Sequence, residues 1–306
     1  MKNNQKIVQL SLIIAIIIAV TFLIKLTSRS YSTGNSMLSS IRTQLGFGAR
    51  NVGSMGRVKT QEYISNQLKS ENIHIKEQVW QDGSGQYLKN IIGQINPDSS
   101  NRIIVATHYD TPANAERDKS NPNALMPGAN DGASGVAMLL ELGKSLSAGN
   151  LDKSLGVDLV FFDGEEFDPG EFNNWKPKGS TYFAKQVEEL YADKKPSLAI
   201  DVDMVCDADL QIYKDPYSLE NAPKAVHDIW SEGQKIDKNA FKENTKFEIK
   251  DDITPLIDSG IPGVLIIDYS YPYFHTSKDT IDNCSAKSLE TVYGTIKNYL
   301  QNYTGN

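Results

Sequence analysis

Five short β-rich runs alternate along this chain with segments of helical period, and that alternation constrains the fold more than any other feature. The β-rich runs are Asn90 to Ile95, Ile103 to Thr107, Val157 to Phe162, Leu198 to Val205 and Val264 to Ile267. Apolar residues at helical spacing fill Val58 to Leu68, Gly135 to Leu146, Thr181 to Leu190, Ala225 to Ile236 and Leu289 to Leu300. Strands separated by helices pair in parallel and are buried on both faces. The pattern therefore predicts an α/β fold, a mostly parallel central sheet flanked by helices. With 306 residues, 40% of them hydrophobic, the chain can build one large core or two small ones. No Pro/Gly/Ser linker divides the body, so a single domain is expected over residues 30–306.

Ahead of that body, a nearly uninterrupted apolar run extends from Ile7 to Ile24, broken only by Gln9, Ser11 and Thr21. Its length is close to the roughly 20 residues a helix needs to span a bilayer, which predicts one N-terminal transmembrane helix. The residues that follow, Lys25-Leu26-Thr27-Ser28-Arg29, carry no small-residue cleavage pattern, so the reading is a retained signal anchor over residues 1–29. Lys2 and Lys6 favour a cytoplasmic N-terminus, which puts the body outside the cytoplasm, on the periplasmic or extracellular side. A polar connector is expected around Ser28 to Ser36. The net charge of -7 and the lack of a basic run argue against nucleic acid as a partner. Two cysteines, Cys206 and Cys284, exclude a disulfide scaffold, a four-cysteine zinc site and a CxxC redox motif, and leave one bridge open.

In open α/β sheets ligands bind beyond the carboxyl ends of the strands, so the residues after each run carry the functional information. The Ile103 run ends in His108-Tyr109-Asp110, and the Val157 run in Asp163-Gly164-Glu165-Glu166. The Leu198 run carries Asp201 and Asp203, and the Val264 run leads through Tyr269 to Phe274 into His275-Thr276. Between the first two of these lies Gly128-Ala129-Asn130-Asp131-Gly132-Ala133-Ser134-Gly135, a loop that opens a helix. Histidines and carboxylates converging from several strand ends suit a zinc site better than magnesium or calcium. In His108-x-Asp110 the carboxylate is placed to hold the second imidazole nitrogen of a ligating histidine. Glu165-Glu166 suggests a split role, one carboxylate on metal and one free as general base or acid.

Taken singly, each of these patterns has a bland explanation. An isolated His-x-Asp is usually a surface pair, Glu-Glu a solvated turn, and the Asp-Gly steps at 131–132 and 163–164 ordinary turn chemistry. The ordered set, each member at an expected strand end, reverses those odds. Other patterns fail: Gly143-Lys144-Ser145 lacks the glycine cradle of a phosphate loop, with Met138 in its place, and Gly132-Ala133-Ser134-Gly135 lacks nucleophile-elbow spacing. His74 and His227 have no local partner pattern.

As an ordered set, these motifs resemble the zinc exopeptidases of metallopeptidase family twenty-eight, which includes bacterial aminopeptidases and the related glutaminyl-peptide cyclotransferases. The resemblance runs from about Gly53 to Leu300. It implies a zinc cofactor, one or two ions, with Asp131 as the central ligand, Glu166 and His275 completing one site, and His108 and Asp203 the other. Asp201 shares a strand face with Asp203, and the Asp203-Met204 step matches the family pattern. It further implies Glu165 as general base, a metal-assisted mechanism, and peptide or protein N-termini as substrates. The expected activity is that of a metallo-aminopeptidase hydrolysing the first peptide bond. The alternative is a glutaminyl-peptide cyclotransferase, which forms N-terminal pyroglutamate and releases ammonia; a non-catalytic membrane-anchored ectodomain is a third reading. Similarity to the cyclases rests on Asn90-Ile91-Ile92, Asn96-Pro97, Met138 to Leu142, Phe161 to Glu166, Trp175 and Asp251-Asp252 before Pro255. Asp110, Asp252, Trp175 and Phe274 are expected around the metal or substrate. The chain departs from the cyclase pattern at Gly132 to Gly135, at Ile253 where a histidine is usual, and at Phe274 where a tryptophan is usual.

Overall fold

The computed structural model describes residues 14, 16, 33–167 and 176–304. Among these, six strands form one sheet in the spatial order β1-β2-β4-β3-β5-β8: β1 His74–Gln81, β2 Tyr87–Ile95, β3 Arg102–His108, β4 Gly156–Phe162, β5 Leu198–Asp203 and β8 Gly263–Ile267. β4, β3, β5 and β8 pair in parallel, as the strand–helix alternation predicts. β2 runs antiparallel to both of its neighbours. The short connection from β1 to β2 allows a hairpin return, whereas parallel neighbours need a long crossover. A separate two-stranded pair joins β6 Ile212–Lys214 to β7 Phe241–Thr245.

Alternation along each central strand divides the core into two layers. Ile103, Val105, Leu159, Phe161, Ile200, Val202, Val264 and Ile266 face one cluster, shared with Met37 and Ile41 of the helical residues 33–45 (α1), α2 (Met55–Ser70), α3 (Ala133–Ser145), α7 (Pro223–Asp237) and α9 (Ala286–Gln301). Ile104, Ala106, Val160, Phe162, Ala199, Leu265 and Ile267 face the other, against α4 (Lys178–Lys185), α5 (Val187–Leu190) and α8 (Ile253–Asp258). Side chains of successive strand residues point to opposite faces, so a strand buried on both sides reads as a continuous apolar run.

Several boundaries differ from expectation for physical reasons. The single helix expected over Thr181 to Leu190 is two, because Gln186 leaves helical geometry at φ -101° and ψ 1°. β5 stops at Asp203, two residues early, because Met204 takes a left-handed φ of 47°. The connector expected up to Ser36 is already helical from residue 33. β1 escaped the sequence reading because it is an edge strand, HIKEQVWQ, with few apolar positions. The anchor expected over residues 1–29 lies outside the described residues apart from Ile14 and Ile16. Among the described residues no helix is long and apolar enough to cross a membrane. Cys206 and Cys284 form a disulfide across 78 residues of sequence.

Candidate metal centre

Four parallel strands end at the same sheet edge, which brings together residues far apart in sequence. His108 is the last residue of β3, Asp203 the last of β5, Glu165 and Glu166 follow β4, and His275 follows β8. Asp131 comes from the loop that starts α3. Gly132 makes that approach possible: its φ is 86°, and a Cβ there would lie 2.7 Å from the Asp110 carbonyl oxygen and 3.3 Å from His108 Cε1. His275 itself has a φ of 55°, a strained backbone of the kind that aims functional side chains.

The result is two sets of three ligand-type side chains that share Asp131: His108, Asp131 and Asp203, and Asp131, Glu166 and His275. His108 Nε2 lies 3.1 Å from Asp203 Oδ1 and 3.2 Å from Asp131 Oδ1. His275 Nε2 lies 2.8 Å from Glu166 Oε1 and 3.4 Å from Asp131 Oδ2. Two atoms each about 2.0–2.1 Å from a tetrahedral zinc are separated by about 3.3 Å, so these spacings suit one ion in each set. Both Asp131 carboxylate oxygens are buried without a hydrogen bond, and each imidazole Nε2 faces two carboxylates with at most one proton to give. A cation between them resolves both problems. The residues present therefore fit zinc.

Electrostatics point the same way. Asp110, Asp131, Glu165, Asp201, Asp203, Asp251 and Asp252 are all buried here, against two imidazoles. Burial, reinforced by the Glu166 charge, holds the Glu165 carboxyl well above the usual range. Glu166 is pushed up to about 7 by burial, with the His275 charge opposing. Burial raises Asp131 too, but contact with His108 and the charges of both imidazoles outweigh it and leave the group lowered. His275 is depressed by burial and raised further by the Glu166 and Glu116 carboxylates, to about 11. Burial drives Asp201 and Asp251 well above the normal carboxylate range, and Asp252 to about 7.

Asp110 faces the second imidazole nitrogen of His108, as its spacing suggested, and has another part besides. Its Oδ1 is 3.7 Å from His108 Nδ1, within ion-pair reach and beyond hydrogen-bond length, and among the described residues that nitrogen has no hydrogen bond. The Asp110 carboxylate also accepts the backbone N–H groups of Glu165 at 3.1 Å and Glu166 at 3.2 Å, which fixes the turn that carries both glutamates. Asp203 meets His108, whereas Asp201 lies deeper in β5 and its carboxylate accepts the N–H of Val202. Phe274 lines the cleft over the centre, and so does Asp251. Asp252 is buried outside that lining, and among the described residues neither of its oxygens has a hydrogen bond. Trp175 lies outside the described residues.

Three participants were missed by the sequence reading. The Glu116 carboxylate contacts His275 Nδ1, the histidine–carboxylate pairing that fixes an imidazole's tautomer and direction. Asp279 accepts the backbone N–H groups of Asn130 at 2.8 Å and Asp131 at 3.1 Å, and so braces the shared ligand from behind. Arg50 is buried, and among the described residues no carboxylate is hydrogen-bonded to it. Its guanidinium donates to the carbonyls of Tyr109, Pro127, Gly128 and Asp131, joining the β3 end to the Asp131 loop. Burial pulls Arg50 down to about 10, opposed by the charges of Asp279, Asp131 and Asp110. Asp279, four residues after His275, was the one readable signal among the three.

The cleft over the centre has a volume of about 580 Å³. Its lining includes the carboxyl groups of Glu165, Glu166, Asp203 and Asp251, the His275 imidazole, and the apolar and aromatic side chains of Met204, Ile249, Tyr269 and Phe274.

Comparison with known proteins agrees with this picture. The chain is 23% identical over 291 residues to a glutaminyl-peptide cyclotransferase from Boiga irregularis, covering 83% of this chain and 77% of that protein. Two solved structures superpose closely. A Zn-dependent exopeptidase from Parabacteroides distasonis has a TM-score of 0.80 at 25% identity, with 88% of this chain and 98% of that one covered. Fimbriiglobus ruber glutaminyl cyclase has a TM-score of 0.81 at 27% identity, with 88% and 94% covered. The model of one family, Peptidase family M28, matches residues 90–300, and the chain belongs to that family.

Proposed function

We propose that this protein is a zinc-dependent aminopeptidase, hydrolysing the first peptide bond of its substrates with Glu165 as general base. The observation that carries the reading is the pair of ligand sets sharing Asp131, whose members Glu166, Asp203 and His275 line a single cleft together with Glu165. His108, Asp131 and Asp203 would hold one ion, and Asp131, Glu166 and His275 a second. Bound there, zinc supplies Lewis-acid polarisation of a carbonyl and acidification of water. The chain's own groups handle the protons. Glu165 takes one from the attacking water and returns it to the leaving amine, and its raised pKa suits a carboxylate that must both accept and release. Asp110 keeps Glu165 and Glu166 aimed at their separate tasks through the backbone. Glu248 in the cleft lining offers a carboxylate to a substrate ammonium.

A second reading, glutaminyl cyclisation, is favoured by the carboxyl groups packed around Glu165. Glu165, Asp201 and Asp251 are all held well above their normal range by burial, so protons are available to pass from an α-amine to departing ammonia without water. Against it, Ile253 is buried in the apolar core where the cyclase pattern has histidine. Mass spectrometry of a leucine-led and a glutamine-led peptide, each incubated with the zinc-loaded protein, separates the two. Loss of the first residue is expected; loss of ammonia from the glutamine peptide alone would make the protein a cyclase.

The anchor expected over residues 1–29 would hold this site outside the cytoplasm. The Cys206–Cys284 disulfide supports that compartment, since such bonds persist where the surroundings are oxidising. Protease added to spheroplasts, from which any outer membrane has been removed, should degrade the domain; full protection until the cytoplasmic membrane is lysed would place it inside.

A further inference from the structure

We infer that Arg117 is a specificity residue that selects substrates carrying a carboxylate about two residues beyond the reacting bond, a deepening that rests on the proposed action at peptide N-termini. Arg117 lies in the loop between β3 and α3 and lines the cleft over the metal centre. That loop is docked beside the centre at three consecutive residues. Glu116 contacts His275, the Arg117 N–H donates to the His275 carbonyl at 3.1 Å, and the Asp118 carboxylate accepts from Ser277. Arg117 is thereby fixed at its backbone, while its side chain projects into the cleft.

The head of that side chain is positioned but uncommitted. Its Cζ sits 4.2 Å over the Phe274 ring, a cation–π contact that holds the guanidinium plane. Among the described residues no carboxylate or carbonyl is bonded to it. The neighbouring glutamate, Glu116, is already spent on His275. An Arg fork stacked on an aromatic face and left with free donors is organised for bidentate capture of a planar anion. Lys250, a second cation on the cleft lining, adds positive potential in a site otherwise dominated by acidic groups.

Distance sets which carboxylate can reach. The Phe274 and His275 ring centres are 3.9 Å apart, so the guanidinium lies within roughly 8 Å of the His275 imidazole. An extended peptide advances about 3.3–3.6 Å per residue, so that reach extends about two residues past the reacting bond. The substrate class is therefore short peptides with a free C-terminal carboxylate there, or longer ones with an acidic side chain at that position.

The test uses the zinc-loaded full chain and three peptides led by leucine, each also made with glutamine first: a tripeptide acid, its C-terminal amide, and the same amide with glutamate at the third position. Products are read by mass spectrometry for either first-residue or ammonia loss, so the preference is measured whichever reaction operates. KM for the amide should exceed that of the acid by about tenfold, at similar kcat. Restoration by the glutamate side chain would identify carboxylate chemistry at large, and failure to restore would restrict it to the chain terminus. Arg117→Gln should erase the difference by raising KM for the acid, and Arg117→Lys should restore part of it. Binding of fluorescent versions of the same peptides, read by anisotropy, gives the same comparison without turnover. Lack of turnover with a retained acid-over-amide preference in binding would overturn the proposed activity and leave this inference standing. Equal affinity for acid and amide, or a preference unchanged in Arg117→Gln, would overturn the inference.

Discussion

Glu165 and Glu166 are adjacent in sequence, share one brace in Asp110, and differ in what their carboxylates face. Glu166 meets His275 at 2.8 Å in a ligand set, whereas Glu165 is held well above the normal glutamate range by burial and by its neighbour's charge. Replacing Glu165 by Gln keeps shape and volume and removes the proton acceptor. Turnover should fall by about 10²–10⁴-fold with zinc content unchanged, measured by peptide cleavage beside elemental analysis. Metal loss in that variant would mean that base and ligand have been exchanged. Four residues of the two ligand sets, His108, Glu166, Asp203 and His275, were legible as candidates because they lie at or beyond the ends of strands whose apolar runs are unmistakable. Asp131, in the loop that opens α3, was picked out by its Gly-rich motif, and the grouping of all five came from the family resemblance. Glu116 and Arg50 were not, since they come from segments without periodicity, and a charged residue in such a segment usually faces solvent. Asp110 was legible as a neighbour of the His108 ring but only in part of its role. Spacing of two residues brings it to the imidazole, and only the fold reveals that it also accepts the N–H groups of the β4 turn.

At the scale of elements, the loop carrying Asp131 is held by groups from three other parts of the chain. Arg50 grips its carbonyls, Asp279 its N–H groups, and Asn130 Oδ1 accepts the Cys206 N–H at 2.7 Å. Ser134 at the start of α3 accepts the Val205 N–H, so the residues after Asp203 and the residues around Asp131 are tied together. The Cys206–Cys284 disulfide extends that tie to the segment before α9. Closing a loop of this length stabilises by about 4–5 kcal/mol in the chain-entropy view. Cys206→Ser combined with Cys284→Ser should lower unfolding stability by about 2–5 kcal/mol in urea titrations and weaken zinc binding as well. Unchanged urea midpoints with and without reductant would count against the bond as a structural element. Arg50→Met leaves buried carbonyls without donors and should cost about 3 kcal/mol or more in the same assay. A cost below about 1 kcal/mol would show that the loop holds itself. The central strands and long helices were readable because each buries a whole face. The edge strand β1 and the small β6–β7 pair bury little, which leaves their patterns faint.

For the whole molecule, the governing feature is a surplus of buried carboxyls at one edge of the sheet. Asp252, Asp268 and Asp279 are each pushed up to about 7, by burial first, and Glu166 likewise. In the unfolded chain such groups titrate near 4. The folded, metal-free protein thus keeps protons that the unfolded chain releases, so this contribution to stability is full below about pH 4 and is lost as pH rises towards 7. Melting temperature of the metal-free protein should fall between pH 5 and 7.5, by on the order of 10 °C, and zinc should flatten the profile. A metal-free protein that becomes more stable over that range would contradict the assignment of a charge surplus. The α/β architecture and the single catalytic edge followed from the strand–helix alternation, because parallel strands must end together. Which way β2 runs did not follow, since a hairpin return and a crossover start from the same apolar run. The central claim is that Asp131 is the ligand shared by two metal positions, and the most direct measurement is zinc content by elemental analysis after dialysis, in wild type and Asp131→Ala. The structure predicts zinc in the wild type and its loss from the variant, and an Asp131→Ala protein that retains full zinc would contradict it.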